Sequence, residues 1–172
     1  MELFNYDGRI DTFSGLKFSF LTPEIGHISI IDIGKGLANK GHFGGQTEHF
    51  FSIAQHSLLV LNLMTLDFKN NYKMGMAALL HDASEAYTGD MVKPLKELLP
   101  EFKRIEDNIT RVIFEKFSLP LEILKKIKPY DLKAQEIEYD TFFNKRNHLE
   151  YLSPNEAYKE FITQYLYYKN LI

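Results

Sequence analysis

Apolar residues recur along most of the chain at the three- and four-residue spacing of amphipathic helices. From Glu101 to Phe117 they form a single helical stripe, and a second helix is predicted from Tyr72 to Tyr87, ending near Gly89. Pro129 should divide the stretch from Leu121 to Asn144 into two helices, because proline removes an intrahelical hydrogen bond. This pattern predicts an all-α bundle.

Four serines stand at positions typical of helix N-caps. They are Ser29, Ser52, Ser118 and Ser153. The first predicts a helix ending near Asn39 and the second a helix ending near Leu66. The third, followed by Pro120, predicts another helix start, and the fourth forms a capping-box pattern with Glu156. Together with the apolar stripes, these signals predict six or seven helices.

The first 22 residues differ from the rest of the chain. Two short β-prone runs, Ile10 to Phe13 and Leu16 to Leu21, flank Ser14-Gly15 and predict a small hairpin. No internal repeat or linker-like segment follows. We therefore expect residues 1–172 to form one compact helical domain, with residues 1–22 as an N-terminal hairpin extension.

Composition narrows the chemistry that this domain could perform. The net charge of −3 over 172 residues provides no general positive field for nucleic acid or anionic membranes. The absence of cysteine excludes disulfides, a thiol nucleophile and cysteine-based metal sites. Any metal must therefore bind histidine and carboxylate side chains. Neither a signal peptide nor a membrane-spanning run is recognisable, so we expect a cytoplasmic protein.

Three ionisable residues follow an apolar helical run that ends at Leu80. His81, Asp82 and Glu85 would share one face if the helix continued, because they are three and four positions apart. An imidazole beside a carboxylate suits Zn, Mn, Co, Ni or Fe(II) better than Ca. A hydrogen-bonded His-Asp pair at the end of a buried helix would explain the same residues without a metal.

Two further residues are candidates for the same site. His56 has apolar neighbours after Ser52, and a histidine in such surroundings is more often a hydrogen-bonded core residue than a metal ligand. Asp131 follows Pro129 at a predicted helix start, where the helix dipole alone would favour an acidic residue. The residues themselves leave both alternatives open.

The order His56, His81-Asp82 and Asp131 resembles the H…HD…D signature of the HD-domain phosphohydrolases. Longer strings are similar to small bacterial and phage HD proteins related to 5′-deoxynucleotidases, and the similarity covers most of the chain. In order, they are Ser14-Gly15, Asp32-Ile33, Phe43-Gly44-Gly45, Phe51-Ser52-Ile53-Ala54-Gln55-His56-Ser57 and His81-Asp82-Ala83-Ser84-Glu85-Ala86-Tyr87. HD alone is a weak signal, whereas these ordered strings are specific.

The resemblance implies an all-helical HD fold with one divalent transition metal, Mn, Co, Zn, Ni or Fe, per subunit. Its ligands would be His56, His81, Asp82 and Asp131. A second metal would need more histidines downstream, and only His148 follows His81. The resemblance also implies a nucleotide substrate and a homo-oligomer, for which the aromatic C-terminal helix is a candidate interface.

By the same resemblance, Glu85 and Asp90 are the catalytic pair that transfers protons. Lys93 and Lys96 lie just beyond them and could offset phosphate charge, although lysines are more often surface residues. The alternatives for the carboxylates are a solvated helix-end glutamate and a turn aspartate.

One departure from the family affects the substrate site. Related proteins carry an arginine before an aromatic residue, whereas this chain has His42-Phe43. Either His42 binds the phosphate when protonated, or Lys93 or Lys96 replaces the arginine, or the substrate differs. Phe43 could stack on the sugar or base, or anchor its own loop.

The leading interpretation is a metal-dependent enzyme that hydrolyses (deoxy)nucleoside 5′-monophosphates to nucleoside and phosphate. One alternative is a deoxynucleoside triphosphate triphosphohydrolase, and another is a non-catalytic sensor that binds a nucleotide through the same metal cavity. A plain helical interaction protein, using Tyr165, Tyr167 and Tyr168, ranks last. Cyclic-dinucleotide hydrolysis is disfavoured because the chain lacks a Gly-Tyr-Pro motif.

Overall fold

A computed structural model describes residues 8–146 and 148–171. The chain begins with a hairpin in which strand β1 (Arg9–Asp11) pairs antiparallel with β2 (Lys17–Ser19), so that Ile10 lies opposite Phe18. The Phe18 ring stacks on that of Tyr87, which attaches the hairpin to the helices. The predicted hairpin is confirmed, while residues 1–7 of the expected extension lie outside the described residues.

The remaining regular structure is helical, which confirms the all-α class. The α-helices are α1 (Ile30–Ala38), α2 (Ile53–Thr65), α3 (Tyr72–Leu80), α4 (Glu85–Thr88), α5 (Lys93–Lys96), α6 (Pro100–Lys116), α7 (Leu124–Phe142) and α8 (Pro154–Lys169). Short 3₁₀ turns occupy Ile25–His27, Phe43–Gly45 and Leu121–Ile123. Within residues 8–146 and 148–171, no helix combines the length and apolarity needed to cross a bilayer.

Three of the four predicted serine caps are present. The Ser29 hydroxyl accepts from the Ile31 amide, and the Ser52 hydroxyl accepts from the amide three residues later. Ser153 forms the complete capping box with Glu156. The prediction for Ser118 is wrong: its left-handed φ of 53° ends α6, and the following turn begins after proline without a side-chain cap.

The helix predicted from Tyr72 to Tyr87 is interrupted. Helix α3 ends at Leu80, and residues 81–84 form tight turns in which the Ala83 amide donates to the Leu80 carbonyl at 3.0 Å. The His81 ring donates from Nδ1 to the Ala78 carbonyl oxygen at 2.8 Å and so satisfies an end carbonyl of α3. His81 and Asp82 therefore lie at a break between two helices.

Pro129 does not divide the C-terminal helical stretch. Helix α7 continues through it, since proline removes only one donor and the helix packs on α2 and α3. Ile127 and Ala134, on either side of the proline, are both buried. Asp131 consequently lies inside a helix, and the predicted helix-start position for it is wrong.

Helix α2 lies at the centre of the bundle and packs against α1, α3, α7 and α8. Its residues Val60, Leu61 and Met64 are almost fully buried. Of the C-terminal tyrosines, Tyr165 and Tyr168 are part of this core, whereas Tyr167 is exposed. Assembly through α8 remains a prediction.

Gly36 determines how closely α1 approaches α4. A Cβ atom there would lie 2.5 Å from the Ala86 carbonyl oxygen and 2.9 Å from its Cα atom. Because backbone cannot move aside easily, Gly36→Ala should lower the free energy of unfolding by about 1–3 kcal/mol in urea denaturation. Gly26→Ala is the control, since no described atom lies within 4 Å of its added Cβ. Equal stability of the two variants would contradict this account of the packing.

Candidate metal centre

The structure brings together the four residues predicted to bind a metal. His56 comes from α2, His81 and Asp82 from the turn after α3, and Asp131 from α7. His56 Nε2 lies 3.3 Å from His81 Nε2 and 3.2 Å from Asp131 Oδ1. Asp82 Oδ2 lies 3.1 Å from His81 Nε2 and 3.6 Å from His56 Nε2. Two nitrogens and two oxygens thus converge on one point.

The hydrogen bonds of the two rings show that this donor set fits a cation. His56 Nδ1 faces a Glu138 oxygen at 2.8 Å, and His81 Nδ1 faces a carbonyl oxygen at the same distance. Both partners are acceptors, so each ring carries a proton on Nδ1, and its Nε2, which faces the centre, would bind a cation after losing any proton it carries. Two imidazole nitrogens beside two carboxylate oxygens form a set that could hold a divalent metal.

The electrostatics also favour positive charge at this centre. Burial alone would lower the pKa of His56, yet the carboxylates of Glu138 and Asp131 raise it well above its ordinary value. Burial likewise opposes ionisation of Asp131, but hydrogen bonding to His56 lowers the pKa of Asp131 to about 2. The neighbouring imidazoles also hold the pKa of Asp82 far below its usual range despite burial. The carboxylates are therefore in the ionised form that binds metal.

Glu138 belongs to the site and was missed from the sequence. Its side chain is fully buried, with Oε1 2.8 Å from His56 Nδ1 and Oε2 3.2 Å from His42 Nε2. Carboxylates commonly orient metal-binding histidines in this way. The sequence signal that could have identified Glu138 is its position two helical turns after Asp131, on the same face of α7 as the buried Ala134.

Glu85 is buried beside a lysine rather than solvated at a helix end. One of its oxygens, Oε1, lies 3.3 Å from Lys96 Nζ, whereas Oε2 is buried without a hydrogen-bond partner in the described part of the chain. Burial and then the negative charge of Asp82 raise the pKa of Glu85 to about 9. Lys96 also contacts Glu106 at 2.9 Å, a buried acid on α6 that the sequence analysis did not identify.

Asp90 is hydrogen-bonded beside His42 and is held in its ionised form. Its Oδ2 lies 3.2 Å from His42 Nδ1 and accepts from the Gly44 amide at 3.2 Å. Burial would raise the pKa of Asp90, but the hydrogen bond from His42 lowers it. The turn that places Asp90 uses Gly89, whose φ of 85° is favourable for glycine. Glu85 and Asp90 thus have opposite pKa shifts.

The predicted substrate contacts have different environments. His42 is buried between the carboxylates of Asp90 and Glu138. Lys93 points to solvent, with a side chain 87% exposed and 4.0 Å from Glu97. The Phe43 ring packs edge-to-face against Phe142 and Phe143, as expected for a loop anchor.

A lysine that the sequence analysis did not single out lies at the edge of the centre. Lys128 Nζ is 2.5 Å from Asp131 Oδ2, while Gln135 donates to Asp131 Oδ1 at 2.7 Å. Gln135 therefore helps to orient a candidate ligand. The side chain of Lys128 is 59% exposed.

The candidate site lies within a segment that matches a known protein family. A family model described as 5′-deoxynucleotidase YfbR-like matches residues 41–143. The uncharacterized protein YfdR of Escherichia coli K12 is 42% identical over 123 residues, which cover 72% of this chain and 66% of YfdR. An uncharacterized protein of Rhodobacter capsulatus is 36% identical over 122 residues, 67% of this chain and 61% of the relative. The chain thus spans slightly less than two thirds of the length of either relative.

The matched segment contains every residue of the centre, from His42 to Glu138. YfbR-like 5′-deoxynucleotidases are hydrolases that act on nucleotides. Since the family match covers more than half of the chain and includes the H…HD…D residues, this protein belongs to the YfbR-like 5′-deoxynucleotidase family of HD proteins.

Proposed function

We propose that this protein is a metal-dependent phosphohydrolase that converts (deoxy)nucleoside 5′-monophosphates to nucleoside and phosphate. The observation that carries the proposal is the convergence of two imidazole nitrogens and two carboxylate oxygens beside two carboxyl groups with opposite pKa shifts. A sensor that only binds a nucleotide needs the metal ligands, but it does not need two carboxyl groups with opposite pKa shifts.

The residues that would hold the metal are His56, His81, Asp82 and Asp131. When bound, a divalent cation supplies positive charge that stabilises the charge developing on the phosphoryl oxygens. The donor set accepts Mn, Co, Zn, Ni or Fe(II), and the metal available in the cell would decide among them.

Two carboxyl groups divide the proton transfers. Asp90, ionised, takes a proton from the attacking water as its oxygen bonds to phosphorus. Glu85, whose burial favours the protonated form, gives its proton to the 5′ oxygen as the phosphorus–oxygen ester bond breaks. A nucleoside hydroxyl and phosphate result, and the protons are balanced once Glu85 and Asp90 return to their original states.

The test is a panel of deoxynucleoside and ribonucleoside mono- and triphosphates with Mn, Co or Zn, with products separated by chromatography. We expect orthophosphate from monophosphates only when metal is present. Release of tripolyphosphate would instead assign the protein to the triphosphohydrolases. Nucleotide binding without turnover under any of these metals would support the sensor.

A phosphate substrate needs an accessible cation next to the candidate metal ligands. His42 is buried between two carboxylates, Lys96 pairs with the carboxylate of Glu106 away from the ligands, and Lys93 lies against Glu97 in solvent. Lys128 faces one carboxylate and is exposed at the edge of the centre. We therefore propose Lys128 as the residue that contacts the substrate phosphate.

Lys128→Gln should raise KM by roughly 10- to 100-fold, with a smaller effect on kcat, because a charge-assisted hydrogen bond contributes roughly 1.5–3 kcal/mol. Steady-state kinetics with a monophosphate measure this. Lys126→Gln makes the same charge change at an exposed position of α7 and serves as the control. An unchanged KM in Lys128→Gln would show that another group binds the phosphate.

A further inference from the structure

Four side chains form a continuous buried row from the candidate proton acceptor to the candidate metal. Asp90 Oδ2 contacts His42 Nδ1 at 3.2 Å, and His42 Nε2 lies 3.2 Å from Glu138 Oε2. The other Glu138 oxygen contacts His56 Nδ1 at 2.8 Å. Acidic and imidazole groups alternate along the row, so each contact joins unlike partners.

Burial makes this row unusual. The side chains of Asp90 and His42 are each 11% exposed, and those of Glu138 and His56 are 0% exposed. Buried ionisable groups cost folding free energy unless they are paired, and removing one partner leaves the other uncompensated. The His42 and His56 rings also lie against each other, with centroids 4.5 Å apart. The arrangement is therefore a specific structure rather than a loose surface cluster.

The orientation of His42 argues against a direct phosphate contact. Both ring nitrogens face carboxylates, and the residue is only 8% exposed. A phosphate oxygen could reach His42 only by displacing Asp90 or Glu138. The contact with Glu138 has ion-pair distance without ideal hydrogen-bond geometry, whereas the contact with Asp90 is a hydrogen bond.

We propose that His42 and Glu138 are positioning residues that fix Asp90 relative to the metal ligand His56. Glu138 sets the ring orientation of His56, and His42 transmits that position to Asp90. This inference rests on the proposed function, since it assigns the metal to His56 and the proton transfer to Asp90.

The first test replaces the central carboxylate. Glu138→Gln removes the charge but keeps the shape, and it should weaken Mn or Zn binding about 10- to 100-fold, as observed when partners of ligating histidines are altered. Competition with a chromophoric chelator measures the affinity, and circular dichroism confirms folding. Glu136→Gln, on the same helix with a side chain 64% exposed, is the control and should bind metal as the wild type does.

The second test distinguishes the roles of the two ring nitrogens of His42. It can be carried out even if Glu138→Gln does not fold. An asparagine amide reaches the position of Nδ1, whereas a glutamine amide reaches that of Nε2. His42→Asn should therefore keep the Asp90 contact and lose mainly metal affinity. His42→Gln should keep the Glu138 contact and lose mainly kcat, by at least about tenfold. The same pair of substitutions at His49, whose side chain is 60% exposed, provides matched controls.

The outcomes distinguish this inference from the proposed function. Wild-type protein that binds metal, with Glu138→Gln and His42→Asn binding equally well, would overturn the positioning roles alone. Wild-type protein that binds no divalent metal would overturn both proposals. If metal affinity falls in these variants but wild type shows no turnover, the proposed function fails while the positioning of His56 by Glu138 stands.

Discussion

Replacing Asp82 with asparagine is expected to abolish metal-dependent phosphate release, with kcat/KM falling roughly a thousandfold. A metal contributes several kcal/mol to such reactions, and each 1.4 kcal/mol is a factor of ten. Asp82 Oδ2 lies within 3.6 Å of both imidazole nitrogens, so an amide would replace a negative ligand with a neutral one. Bound metal, measured on dialysed protein by mass spectrometry, should fall in parallel.

Asp107→Asn is the matched control for this experiment. Asp107 is 63% exposed on α6 and pairs only locally with Lys103. Its activity and metal content should equal those of the wild type. Full turnover in Asp82→Asn with retained metal would remove Asp82 from the ligand set and contradict the proposed centre.

Glu85→Gln should lower kcat by roughly 10²- to 10⁴-fold, the usual contribution of a positioned general acid. The amide keeps the size of the side chain but cannot deliver a proton to the leaving oxygen. Metal affinity should change little, because among the described residues Glu85 makes no direct contact with the nitrogen and oxygen atoms of the four candidate ligands. The exposed Glu101→Gln serves as the control.

Glu85→Gln should also change how the free energy of unfolding of the metal-free protein depends on pH. Glu85 is protonated in the folded state up to a pKa of about 9, whereas the unfolded side chain titrates near its ordinary value of 4.5. Burial, Asp82, Asp90 and Glu106 raise this pKa, and Lys96 partly opposes them. The folded state therefore binds more protons, so Glu85 makes stability fall as pH rises between these values.

Glutamine does not titrate, so the stability of Glu85→Gln relative to wild type should increase from about pH 5 to pH 9. Urea unfolding at several pH values, with a chelator present, measures this difference and cancels the contributions of the other ionisable groups. A difference independent of pH would mean that Glu85 ionises normally in the folded protein.

Some elements are specified by residues that lie close together in the sequence, and these could be predicted. The Ser153 capping box and the stripe on α6 are complete within a few residues, and the structure contains both. The continuous helix predicted beyond Leu80 failed because the side chain of His81 bonds the end of α3. The helix break predicted at Pro129 failed because packing maintains α7 across the lost hydrogen bond.

In the candidate site, too, residues with a local sequence signal could be predicted, whereas residues defined by distant contacts could not. His81 and Asp82 were identified because ionisable residues after an apolar run are conspicuous in a sequence. Glu138 was missed because its partner His56 lies 82 residues away, and a glutamate on an amphipathic helix normally indicates a solvated face. Lys128 was missed because one lysine near two others carries no signal until its contact with Asp131 is known.

The position of the centre has a consequence for how the chain holds together. Its candidate ligands come from α2, the end of α3 and α7, three segments that are separated in the sequence. A single ion would link these segments, as disulfide bonds link distant segments of secreted proteins. This chain has no cysteine and cannot form disulfide bonds. Because that connection closes long loops, its entropic effect on the unfolded chain is large. On the proposed function, a chelator should therefore lower the stability of the helical bundle as well as stop turnover.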